Sequence, residues 1–207
     1  MPSSAEPFLP RIHSIPSLQR AARKCEGCPL YKHATQTVFG EGPENARVVM
    51  IGEQPGDNED LQGKPFVGNA GKLLDRALEE AGVVRSDIYV TNAVKHFKWE
   101  ERGKRRIHKK PSASEISACH PWLEAEIEVI EPEIIVCLGA TAAQSLIGRD
   151  FRVTADRGKF FESPWTGRLM ATVHPSSLLR ISNESERHRE YQRFVADLKG
   201  IAAKLSA

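Results

Sequence analysis

Residues 47–57 read RVVMI followed at once by GEQPGD. The first five have the length and the apolar, partly β-branched character of a buried strand, and the Gly/Pro-containing polar turn ends it. Three further runs read the same way, at 87–91, 133–138 and 169–173. Helical patterns lie between them. Leu73, Leu74, Ala77 and Leu78 recur at helical spacing after Gly71. Ser112 and Glu115 form a capping box that opens a helix through Trp122, Leu123 and Ile127, ending before Pro132. A third helix covers 140–146. The last covers 187–205, with Tyr191, Phe194, Val195 and Leu198 on one face. Strands alternating with helices predict an α/β fold, a mainly parallel sheet with helices on both sides.

That layout puts unusual polar residues just after strands. The turn at 52–57 follows the first, Asn92 follows the second, and His174-Pro175-Ser176-Ser177 follows the fourth. Ligands of open parallel sheets bind at the carboxyl ends of strands, so three distant clusters converge on one pocket. The chain of 207 residues is long enough for one domain with a sizeable core. We read residues 1–17 as a flexible lead-in and 18–207 as a single domain with a basic loop at 100–111. No apolar run is long enough to span a bilayer, and the N-terminus lacks the apolar core of a secretory signal. The expectation is a monomeric, cytoplasmic protein with no membrane association. A net charge of +2 says little about partners, but Arg102, Lys104, Arg105, Arg106, Lys109 and Lys110 place six cations within nine residues. Such a run repels itself and calls for an anionic partner, phosphate first. A solvated charged loop is the plainer reading.

The turn at 52–57 is not G-x-G-x-x-G, so it gives weak support to a dinucleotide fold. Its Glu53, at a strand exit, is placed for charge stabilisation or proton transfer. Asn92 carries an amide donor beside an acceptor, which matches the N3–H and O4 edge of uracil and not that of cytosine; capping the strand end is the alternative. Phe66 could stack on a base, or be a core aromatic. A neutral His174 could donate a hydrogen bond to an oxygen gaining negative charge.

Cys25-x-x-Cys28 has the spacing of a metal or cluster knuckle. Four cysteines without secretory features suggest metal or redox chemistry, not disulfides. Cys137 sits in a run that reads as a central strand, where a free cysteine behaves as a small hydrophobe. Cys119 on the capped helix and His96, four residues beyond Asn92, complete the set. From spacing alone, zinc held by three cysteines and a histidine is equally permitted.

GEQPG at 52–56, PFVG at 65–68, TNAVKHFK at 91–98, KRRIHK at 104–109, ACHPWL at 118–123 and HPSSLLR at 174–180 together resemble the UdgX branch of the uracil-DNA glycosylases, close to family 4. The resemblance runs from about Cys25 to Arg180. It implies a four-stranded parallel sheet between helices, in three αβα layers, and a [4Fe–4S] cluster on Cys25, Cys28, His96 and Cys119. Family 4 relatives have a cysteine where His96 stands, have GEGPG where Gln54 stands, and lack the KRRIH insertion. The implied reaction starts with uracil-containing DNA, single-stranded in particular, and a uracil flipped into the pocket. Gln54, Gly56, Asp57, Glu59, Phe66 and Asn92 would surround the base, with Glu59 disfavouring thymine's methyl. His174 would stabilise the uracil anion and Glu53 the sugar cation. His108 would attack C1′, leaving an abasic strand attached to the protein. Ser176, Ser177 and Arg180 would hold phosphates, as would Lys104, Arg105, Arg106 and Lys109 of the basic loop. Two other readings stay open: a conventional multiple-turnover iron–sulfur glycosylase, and a zinc-containing nucleic-acid-binding module without catalysis.

Overall fold

Each of the four apolar runs forms a strand, and the computed structural model, which describes residues 4–206, joins them in one sheet. In chain order the elements are α1 (Ile15–Ala22), β1 (Val48–Gly52), α2 (Asp57–Gln62), α3 (Asn69–Ala81), β2 (Ile88–Asn92), β3 (Trp99–Arg102), β4 (Arg105–His108), α4 (Ala113–Ile130), β5 (Ile134–Leu138), α5 (Ala140–Leu146), α6 (Val153–Asp156), β6 (Phe160–Phe161), β7 (Leu169–Thr172), α7 (Pro175–Leu179) and α8 (Glu184–Leu205). Ser112 caps α4 in the capping box its sequence predicts.

The sheet order is β2-β1-β5-β7-β6. The first four strands are parallel, and β6 runs antiparallel to β7. The expected four-stranded sheet is therefore corrected to five strands. The two residues of β6 are too short to carry a period, and a short antiparallel edge strand on a parallel sheet is a common way to end it. Side chains alternate between two buried faces. Val49, Ile51, Ile135, Cys137, Leu169 and Ala171 share one core cluster with Leu18, Trp122 and Ala142 of α1, α4 and α5. Val48, Met50, Ile134, Val136, Leu138 and Met170 share the other with Leu74 and Leu78 of α3 and Phe194 and Leu198 of α8. Both faces are covered, which is why the strands read as unbroken apolar runs. Each large aliphatic buried there contributes about 1.5–3 kcal/mol.

Two expectations differ from the structure. The stretch before Leu18, read as a loose lead-in, carries the start of α1 behind a Ser14 cap. Upstream of it, Ala5 is buried and its amide donates to the Ala118 carbonyl of α4 at 2.7 Å. Residues 1–3 of that stretch lie outside the described residues. The basic loop at 100–111 contains an antiparallel hairpin, β3 with β4, in which Glu101 faces Arg106 and Trp99 faces His108. Its two-residue turn begins with Gly103 at φ +63°, the left-handed conformation that matches the twist of the flanking strands. Among the described residues no helix is long and apolar enough to cross a membrane.

Candidate active site

The order of the sheet reverses at β1: β2 lies on one side and β5 on the other. Such a switch point opens a crevice at the carboxyl ends of the strands. The crevice here is a cleft of about 780 Å³, and Glu53, Phe66, Asn92, His108, Thr141 and His174 line it. The β1–β2 ladder continues past the strand ends, with the amides of Ala93 and Val94 donating to the carbonyls of Gly52 and Glu53 at 2.9 and 3.0 Å. The backbone beneath the site is therefore hydrogen-bonded.

Glu53 is the centre of the cluster. His108 at the end of β4 brings Nε2 to 3.3 Å from Glu53 Oε1, and the Thr141 hydroxyl donates to Glu53 Oε2. Burial alone would raise the Glu53 carboxyl. The hydrogen bonds from His108 and Thr141, with the nearby imidazoles of His108 and His174, outweigh it and hold the carboxyl below the usual range.

His174 caps α7. Its Nδ1 lies 3.2 Å from the Ser176 amide nitrogen and 2.8 Å from Ser176 Oγ. An amide N–H can only donate, so Nδ1 accepts and the ring proton sits on Nε2. Burial is the main cause that lowers the His174 pKa to about 4; Glu53 opposes the shift, and Arg180 and His108 add to it. His174 is thus a neutral donor. Ser177 Oγ donates to the His174 carbonyl at 2.7 Å. Of the two serines expected on phosphate, Ser176 orients the imidazole and Ser177 holds the His174 backbone, while Arg180 stands on the cleft wall.

Asn92 is buried, and among the described residues its side-chain amide makes no hydrogen bond, while its carbonyl accepts from Lys95 Nζ at 2.8 Å. Its side chain therefore presents a free donor and a free acceptor to the cleft from a backbone that is itself hydrogen-bonded. Phe66, at φ 56°, lies 6.1 Å from His174 with the rings 26° apart.

Four residues of the expected base pocket have protein partners. Gln54 donates from Nε2 to the carbonyls of Lys98 and Lys109 at 3.1 and 3.2 Å and accepts from the Lys98 amide at 3.1 Å. It clamps the two ends of the hairpin together. Glu59 accepts from the amides of Gly56 and Gly68 at 3.1 and 2.7 Å, which joins the GEQPG and PFVG turns. Asp57 pairs with Arg106 at 2.6 Å.

Arg106 was expected on phosphate. Its guanidinium instead binds Asp57 and Asp60, at 2.6 Å each, and lies 5.5 Å from the ring centres of Phe97 and Trp99. Lys109 pairs with Glu100 at 3.4 Å. Lys104, Arg105 and Lys110 are exposed and make no ion pair among the described residues. The repulsion inside the basic run is partly answered within the protein.

Thr141 was not foreseen. It follows β5, the one exit with no unusual polar cluster, and the same strand-exit rule applied to Gly139-Ala140-Thr141 would have found it.

Cys25, Cys28, Cys119 and His96 are all buried, and the cysteines are free thiols. Trp122 Nε1–H donates to Cys25 Sγ at 3.2 Å and the Lys95 amide to Cys119 Sγ at 3.3 Å. Thr37 gives its one proton to the Ala22 carbonyl at 2.8 Å, so at 3.0 Å it accepts from His96 Nε2–H and leaves the Nδ1 lone pair free. Buried thiols with N–H donors and an imidazole with an open lone pair suit a thiolate-bound cluster. Among the described residues no three such side chains converge closely enough to hold a single metal ion. Cys137 lies in β5 on the sheet face, fully buried, where burial pushes its thiol up to about 12.

A family profile described as Uracil DNA glycosylase superfamily matches residues 39–199. The chain is 42% identical over 169 residues to the type-4 uracil-DNA glycosylase of Thermotoga maritima, covering 80% of this chain and 83% of that one. It is 34% identical over 196 residues to the type-4 uracil-DNA glycosylase of Archaeoglobus fulgidus, covering 91% and 95%. A type-5 uracil-DNA glycosylase of Thermus thermophilus is 28% identical over 158 residues, covering 67% and 68%.

Proposed function

The chain belongs to the uracil-DNA glycosylase superfamily, and on that premise we propose that it excises uracil from DNA and remains bonded to the abasic product through His108, as a member of the UdgX branch. The observation that carries the covalent part is the 3.3 Å contact between His108 Nε2 and Glu53 Oε1 inside the cleft. The unpaired amide of Asn92 supports uracil as the base.

In this reading a uracil flipped from the strand stacks on Phe66 and pairs its Watson–Crick edge with Asn92. A single strand is the cheaper substrate, because less pairing is lost on flipping. The C1′–N1 bond breaks and its electron pair leaves with uracil. His174 donates from Nε2 to the uracil oxygen that gains charge, and the Glu53 carboxylate faces the sugar cation. The His108 nitrogen that carries the lone pair bonds to C1′, and the ring proton passes to Glu53, the base in contact with it. An imidazole held beside C1′ has a large advantage in effective concentration over water. Cys25, Cys28, Cys119 and His96 would hold a [4Fe–4S] cluster, which would brace the chain between α1, α4 and the segment after β2. Exposed Lys104 and Arg105 would meet phosphates.

The test is a denaturing gel after incubation with a uracil-containing oligonucleotide. Wild type should give a heat- and detergent-stable band of one strand per chain, only when uracil is present. His108→Ala should lose the band yet still release uracil, because Glu53 and His174 remain. Glu53→Gln should lower both by about a hundredfold or more. A band that persists in His108→Ala would show another nucleophile. Many uracils released per wild-type chain with no band would make the protein an ordinary turnover glycosylase.

A further inference from the structure

Glu53 has to do two things at once in the proposed reaction: stay ionised in a partly buried cleft, and present one particular oxygen to His108. A carboxylate on a strand exit does neither unaided, because its terminal torsion is broad and its burial favours the neutral form. The structure supplies two partners, one to each oxygen. His108 stands at Oε1, 3.3 Å away, and the Thr141 hydroxyl donates to Oε2. Thr141 is 4% exposed, in the first turn of α5 directly after β5. The turn before it brings the β5 and β7 exits together: Gly139 is at φ +95°, and a Cβ on it would stand 3.0 Å from His174 Cβ. Glu53 is thus held from three strands, with its carbonyl tied to the β2 exit through Val94.

We propose that Thr141 is a positioning residue of this site, fixing Oε2 of Glu53 so that Oε1 remains facing His108. The proposal rests on the glycosylase reading of the same cleft. The other charged or titratable groups around Glu53 are His108 and Lys110 from the hairpin side, His174 and Arg180 from α7, and Glu59 from α2, whose carboxylate is taken up by two backbone amides. None of these shares Oε2. Removing the Thr141 hydroxyl removes a donor to the ionised carboxylate, so a higher pH is needed to ionise it. It also frees the carboxylate to turn away from His108, which then meets C1′ less well than before and concedes more of the reaction to water.

The experiment compares wild type, Thr141→Val and Thr141→Ser on one uracil-containing oligonucleotide. It measures the single-turnover rate of uracil release from pH 4 to 8 and the fraction of product bonded to protein. Valine keeps the shape and loses the donor; serine keeps the donor. Thr141→Val should move the acid limb of the rate profile upward by roughly one pH unit, about the size of one hydrogen bond to a charged group. Its bonded fraction should fall at every pH, and Thr141→Ser should restore both. Thermal unfolding of each variant, with Thr141→Ala alongside, identifies any that fail to fold. A folded Thr141→Val with the wild-type acid limb and bonded fraction would overturn the proposal. So would equal impairment of the valine and serine variants, since that would make packing, and not the hydroxyl, responsible. If wild type releases no uracil at all, the glycosylase reading itself fails, an outcome distinct from either.

Discussion

A Cβ on Gly52 would stand 2.4 Å from Asn92 Oδ1 and 2.8 Å from Phe66 Cζ. Real Cβ atoms do not come so close, so glycine here lets both side chains share the cleft. The crowding follows from register, because Gly52 and Asn92 are direct partners in the β1–β2 ladder. Gly52→Ala should therefore push aside the amide that would read the base and the ring that would stack on it. We expect the single-turnover rate of uracil release at limiting protein to fall at least about tenfold, the effect of some 1.4 kcal/mol, with affinity for uracil-free DNA unchanged. An unaltered rate would remove Asn92 and Phe66 from base recognition. At this scale the residues with rare chemistry were legible. Glu53, Asn92 and His174 stand out because a carboxylate, an amide and an imidazole at strand exits have few structural reasons to be there. Thr141 was legible only as a residue at a strand exit, since a threonine opening a helix is ordinary; its contact with Glu53 appears only in the fold.

The hairpin of β3 and β4 shows how an element can invert the meaning of its sequence. Six cations within nine residues read as a surface for phosphate, yet Arg106 packs between Asp57, Asp60, Phe97 and Trp99 with its side chain 21% exposed. Asp60 is fully buried and also accepts from the Thr35 amide at 3.0 Å. Arg106→Ala would leave that carboxylate without its cation, so it should destabilise the fold by about 3 kcal/mol, seen in thermal or denaturant unfolding. It should leave the salt dependence of DNA binding unchanged. Lys104→Ala and Arg105→Ala should do the reverse: little change in stability, but a shallower plot of log affinity against log salt, by about 0.7–0.9 per residue. Binding is best measured in the Glu53→Gln background, where reaction is slow. A stable Arg106→Ala protein with a reduced salt slope would return Arg106 to the DNA surface. The hairpin was illegible as such because charge obscured its alternation, although Gly103-Lys104 between two four-residue stretches was a turn signal. The helix and strand runs of the sheet were legible because both faces are buried and apolarity is continuous. The edge strand β6 was not, with only Phe160 and Phe161 to announce it.

Across the whole molecule, one segment connects everything the proposed function needs. After β2 the chain places Asn92 in the cleft, Lys95 against buried Glu126 at 2.5 Å, His96 buried against Thr37, and Lys98 against Gln54 and the hairpin. A cluster bound at Cys25, Cys28, Cys119 and His96 would therefore tie α1 and α4 to the root of the hairpin that carries His108. The cysteine count alone points to four thiols; the fold separates them. Cys137 is in the middle of β5, on the apolar face packed by α4 and α5. His96 has its Nε2–H taken by Thr37 and its other nitrogen free. Protein purified without oxygen should thus contain about four irons and four sulfides per chain. Cys137→Ser should keep that content, though a hydroxyl in the core costs some stability. His96→Ala should lose most of its iron on gel filtration. If the free imidazole is the missing ligand, an alanine at 96 also unfastens the segment leading to His108, so the bonded fraction on uracil-containing DNA should fall with the iron. Zinc in place of iron, or iron lost from Cys137→Ser and retained in His96→Ala, would overturn the ligand set.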